Sequence, residues 1–148
     1  MKNTFLIAFV LIIFLTSCNK KENPEPSRTN AELLSLNAWK LDRYTDTSGK
    51  IISNSSLNVS AMALFGLVFE FRNNFETRAI DKVTKNIINR GTWALVDSDT
   101  FMDINIDGFK GQFKVIEIKK GKLIIQASTG NFLSGLGTEI NMEFSEFK

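Results

Sequence analysis

Histidine is absent from this 148-residue chain, cysteine occurs once and proline twice. Without histidine there can be no Ser-His-Asp or Cys-His nucleophile pair, and no ordinary His-ligated zinc or haem site. A single cysteine excludes an internal disulfide. A dominant charge is lacking too: 18 basic and 16 acidic residues leave a net +2, spread along the chain. There is no basic patch of the kind that neutralises phosphates, so no nucleic-acid partner is expected. Two prolines and nine glycines against 43% hydrophobic residues argue for a packed globular body, and the length predicts one domain.

Hydrophobic runs are scarce except at the N-terminus. Lys2 is followed by an unbroken apolar stretch, residues 4–15 (TFLIAFVLIIFL). A dozen residues cannot cross a bilayer core of about 30 Å as a helix, which takes roughly 20, but they suit the h-region of a signal peptide. Leu15-Thr16-Ser17-Cys18 resembles the lipobox of bacterial lipoprotein signal peptides. The resemblance implies cleavage before Cys18, acyl chains on its thiol and new amino terminus, and attachment to the cell envelope, with the outer membrane expected. The organisation is then a signal peptide at 1–17, a lipidated cysteine and tether at 18–28, and a folded domain at 29–148.

This assignment removes the only thiol from the folded domain, which must be held by its core alone even in an oxidising compartment. Removing Lys2 leaves 17 basic against 16 acidic residues. Membrane association is therefore lipid-driven, since two or three acyl chains anchor far more firmly than one. Residues 19–28 (NKKENPEPSR) hold both prolines and no apolar side chain, as a solvated tether does; extended at about 3.1 Å per residue it would reach on the order of 30 Å. Lys20-Lys21-Glu22 partly resembles the surface-export signals of Bacteroidetes lipoproteins but is short of acidic residues. Surface display and a periplasm-facing position both fit.

In the mature chain, Thr29-x-x-Glu32 is a capping-box pattern opening a short helix with Leu33, Leu34 and Leu36. From Trp39 the apolar period is two. Strands are predicted at 39–44, 67–72, 75–81, 87–96, 101–106, 111–118, 122–128 and 139–144. Asn73-Asn74, residues 97–99 and residues 119–121 read as hairpin turns. Eight consecutive strands with one apolar face each are most economically closed into an antiparallel up-and-down barrel, with a two-sheet sandwich as the competitor. Trp39-Lys40-Leu41, Leu67-x-Phe69-x-Phe71-x-Asn73-Asn74-Phe75 and Gly91-Thr92-Trp93-x-Leu95 together resemble the lipocalin-like lipoproteins of the Bacteroidetes. That resemblance implies an eight-stranded lipocalin-like barrel behind a short N-terminal helix. Lipocalins carry a Gly two positions before the first-strand Trp; Asn37 stands there here.

Connections between consecutive strands alternate between the two ends of such a barrel. One end takes three short turns. The other takes the long connections 45–66 and 129–138, and a loop above about 15 residues is uncommon without a role. Leu57, Ala61, Leu64 and Phe65 recur at helical spacing and, with Met62 and Phe132 (beside Leu133 and Leu136), are candidates for a lid over the open end or for a plain structural cap. Trp39, Trp93, Phe71 and Phe75 are expected to plug the tight end. Small or polar inward positions toward the open end (Arg43, Ala79, Asn89, Gly91, Ala127), together with Leu67 and Ile140, predict a modest pocket for a small hydrophobic or amphipathic ligand. Arg43, sharing the face of Trp39 and Leu41, is expected to point inward and meet a ligand head group or form a rim ion pair with Asp81 or Glu117.

Asp97, Asp99, Asp103 and Asp107 alternate, but on a turn and a strand rather than a glycine-centred calcium loop, so no metal is expected. Glu70 and Glu76 are a carboxylate pair with nothing to place them in a cleft. No catalysis and no cofactor are expected. The expected function is membrane-anchored binding of a small ligand; the alternative is an accessory module that engages an envelope protein or glycan through its loops.

Overall fold

The computed structural model describes residues 28–128 and 139–148; Cys18, the tether and the 129–138 connection with Phe132 lie outside the described residues. Thr29 caps a helix, α1 (Asn30–Ser35). Its hydroxyl accepts from the Glu32 amide while the Glu32 carboxylate accepts from the Thr29 amide, which is the capping box expected from the sequence. Eight strands follow: β1 (Ala38–Asp46), β2 (Leu67–Phe71), β3 (Glu76–Asp81), β4 (Ile87–Val96), β5 (Phe101–Ile106), β6 (Phe109–Lys119), β7 (Lys122–Ala127) and β8 (Ile140–Phe147). Each pairs antiparallel with the next, and β1 also pairs with β8, so the sheet closes into a barrel. Closure removes both edges, which eight strands without covering helices would otherwise expose.

Period-two patterning explains the core. Leu41, Phe69, Met102, Ile104, Phe113, Leu123, Ile125, Met142 and Phe144 sit at alternating inward positions of their strands and are all buried in one cluster. Phe69 lies at its centre, its ring 5.0 Å from Phe109 and 6.2 Å from Phe144. Val68 is also buried but does not belong to that cluster.

The tight end is closed by α1. Leu34 is fully buried and its carbonyl accepts from the Trp39 indole at 2.9 Å. Asn30 donates to Asp99 in the β4–β5 turn, where Asp97, Ser98 and Asp99 all have positive φ, a conformation short polar side chains tolerate better than bulky ones. Trp93 and Phe71 pack at that end as expected, with rings 5.6 Å apart. Phe75 touches Trp93, with rings 6.1 Å apart, but is not buried with them. It is 59% exposed, because it falls in the turn before β3 with φ of 63°, and this swings its side chain off the inward parity of the strand.

The opposite end is capped by the long connection after β1. Asp46 organises a turn by accepting from the amides of Ser48 and Lys50, and the chain then rises through a second helix, α2 (Val59–Ala63), and a short 3₁₀ turn into β2. Ala61 and Leu64 are buried, and Leu57 and Phe65 pack partly buried against the core. Met62, one position round from that stripe, is 40% exposed.

Candidate functional site

The interior positions expected to line a pocket are surrounded by the protein's own core. Ala79, Ala127 and Ile140 are buried members of the core cluster, and Leu67 packs against it. At Gly91 a Cβ would sit 2.0 Å from the Asn105 carbonyl oxygen, so the end of β5 passes directly over the inner face of β4. Asn89, beyond it, donates its side-chain amide to the Asp107 carbonyl at 3.0 Å. The β5–β6 hairpin thus folds across the space these small residues leave, carrying Ile106 and Phe109 into the core with 1% exposure each. Phe109 reaches Phe69, whose cross-strand neighbour is Ala79. The taper of small residues accommodates the protein's own hairpin.

Arg43 departs from expectation. The β1–β8 register slips between Leu41↔Phe144 and Arg43↔Glu143, so Asp42 is a bulge residue and parity inverts after it. Arg43 consequently faces out, with its guanidinium 2.8 Å from Glu143 rather than from Asp81 or Glu117. Tyr44 takes the inward position and donates its hydroxyl to the Ala61 carbonyl at 2.9 Å. Burial pushes the Tyr44 phenol well above its usual range, so it remains a neutral donor, pinning α2 on the barrel mouth.

Several carboxylates are engaged in structure. Glu76 takes Arg78 at 2.7 Å and Arg90 at 2.6 Å, and those two hydrogen-bonded guanidinium groups hold its carboxyl down to about 2. Asp81 is lowered by the amide and hydroxyl of Thr84 in its turn, Asp46 by Ser48 and Lys50, and Glu117 by Lys119 and Lys122. All four stay ionised at neutral pH, the opposite of what a general acid needs. No group of three or more potential metal-ligating side chains is found among the described residues.

Among the described residues, grooves lie on the outside of the barrel. A groove of about 770 Å³ runs over β4, β5 and β6, bounded by Phe75, Thr92, Ala94, Asp103, Asn105 and Lys110, with Trp93, Ile104 and Gly111 beneath. Cross-strand register sets two rows on its floor, Thr92↔Asn105↔Lys110 and Ala94↔Asp103↔Gln112. Gln112 donates to Asp103 at 2.9 Å. The Phe75 ring stands at the edge, 6.1 Å from Trp93, and its backbone is fixed by donating to Arg72 and accepting from Trp93. A second groove, about 550 Å³, lies between the end of α1 and the β2–β3 turn, with Leu36, Asn37, Glu70 and Arg72 on its walls. Neither groove contains any residue expected to line the interior pocket.

The outer groove was partly legible in the sequence. Asp103 and Asn105 alternate with Met102, Ile104 and Ile106 and so mark an outward face. Phe75 was not, because the turn sets its direction. No family model and no curated protein matches this sequence.

Proposed function

We propose that this chain is a non-catalytic, lipid-anchored envelope protein of the lipocalin-like kind, and that it engages its partner from the outer surface of a solid barrel. The observation that carries this reading is the occupancy of the interior: the β5–β6 hairpin lies over Gly91 with Phe109 buried behind it. A barrel of eight strands either fills with side chains or holds one small ligand, and this interior favours filling. Anchoring rests on the Leu15-Thr16-Ser17-Cys18 motif after a twelve-residue apolar run. The polarity of the fold agrees with such use, because the tether joins α1 at the tight end and leaves the α2 end pointing away from the attachment point.

Native mass spectrometry of the full chain, extracted from its envelope in detergent, tests both parts. The expected result is an acylated protein without a stoichiometric small molecule, and Cys18→Ser is expected to move the chain from the membrane to the soluble fraction. A co-purifying hydrophobic molecule at one per chain would return the binding site to the barrel interior. Unchanged membrane association of the Cys18 variant would overturn the anchor.

A further inference from the structure

Phe75 combines two costs that the fold does not require. A bulky residue at φ of 63° sits where a hairpin turn ordinarily takes Gly or Asn, and its ring is left 59% exposed. The backbone is nevertheless held from both sides, by the Phe75 amide donating to Arg72 and the Trp93 amide donating to the Phe75 carbonyl. The ring is therefore presented in a fixed direction over the outer groove.

What the groove offers that ring's occupant is a mainly apolar surface with a few hydrogen-bonding side chains and no net charge. The exposed Asn105 and Thr92 side chains have no partner among the described residues, Asp103 keeps acceptor capacity beside Gln112, and Lys110 supplies donors. One carboxylate stands against one ammonium. A phosphate backbone would demand several cations, and a protein partner at a stable interface would cover about 800 Å², more than a single groove with one exposed aromatic anchor provides. A pyranose ring has an apolar C–H face that packs on an aromatic ring and a rim of neutral hydroxyls that both donate and accept. Ala94 leaves room on the floor for it, and the volume lies within the range of small-molecule sites.

We propose that the groove under Phe75 binds a neutral saccharide, with one sugar ring packed on Phe75 and its hydroxyls bonded to Asn105, Thr92 and Asp103. This deepens the outer-surface reading given above and rests on it. The full-length protein in detergent micelles is titrated with soluble neutral hexasaccharides of glucose, mannose and N-acetylglucosamine, followed by tryptophan fluorescence, since Trp93 underlies the Phe75 ring, and by calorimetry. At least one is expected to bind with a dissociation constant of about 1 mM or tighter. Phe75→Ala and Asn105→Ala should each weaken it roughly tenfold, while Phe75→Trp keeps it. Phe75→Gly should raise the melting temperature by relieving the backbone and still lose the sugar, which a merely structural phenylalanine would not do. Absence of heat and fluorescence change with all three sugars at about 10 mM, or binding indifferent to Phe75→Ala, overturns the proposal. If no sugar binds but Phe75→Ala abolishes cross-linking to an envelope protein, the saccharide falls and the outer-surface reading stands.

Discussion

Gly91 shows how one residue decides what the barrel encloses. Its missing Cβ is the space through which the Asn105 carbonyl passes, and the obstruction is backbone, which cannot rotate aside as a side-chain tip can. Gly91→Ala should destabilise the fold by about 2–3 kcal/mol, read as a lower urea midpoint at unchanged slope; a wild-type midpoint would show that the hairpin does not depend on this approach. The same scale explains where sequence reading stopped. Phe69 and Phe71, or Ile140, Met142 and Phe144, follow a period of two that any half-buried strand must obey, and their burial was legible; Leu67, at the start of β2, is only half-buried. Arg43 and Phe75 were not, because a bulge at Asp42 and a left-handed residue before β3 each reverse direction without leaving a mark in the hydrophobic pattern.

At the scale of elements, the connection after β1 is held as a cap by one polar contact set among apolar ones. Asn58 caps α2 by accepting from the Ala61 amide, Leu64 and Ala61 face the core, and the Tyr44 hydroxyl reaches the Ala61 carbonyl. Tyr44→Phe removes the hydrogen bond to that carbonyl, for a cost of about 1 kcal/mol. It should also speed amide exchange at Met62, whose N–H closes the helix onto Asn58. Protection equal to wild type would mean that apolar packing alone holds α2. The helical spacing of Leu57, Ala61, Leu64 and Phe65 identified this element in the sequence; that it seals a filled barrel depends on the inward fold of the β5–β6 hairpin, a long-range contact that local patterns do not encode.

Acid stability is a property of the whole molecule to which the Arg78–Glu76–Arg90 cluster contributes a defined window. Because the Glu76 carboxyl is held at about 2 against an ordinary 4.5, its contribution is complete above pH 4.5 and is lost as the pH falls toward 2. Melting temperatures of Glu76→Gln should therefore fall less steeply than those of wild type between pH 4.5 and pH 2; parallel curves would show that the cluster is equally populated in the unfolded chain. Closure of the barrel has a further consequence. The β1–β8 ladder ends on the pair Ala38↔Phe147, so the first and last rungs of the whole chain are direct neighbours beside α1. A reporter fused after Lys148 would thus sit at the α1 end of the barrel, and a circular permutant opened at the Ser48-Gly49 turn would present its new ends at the opposite, α2 end.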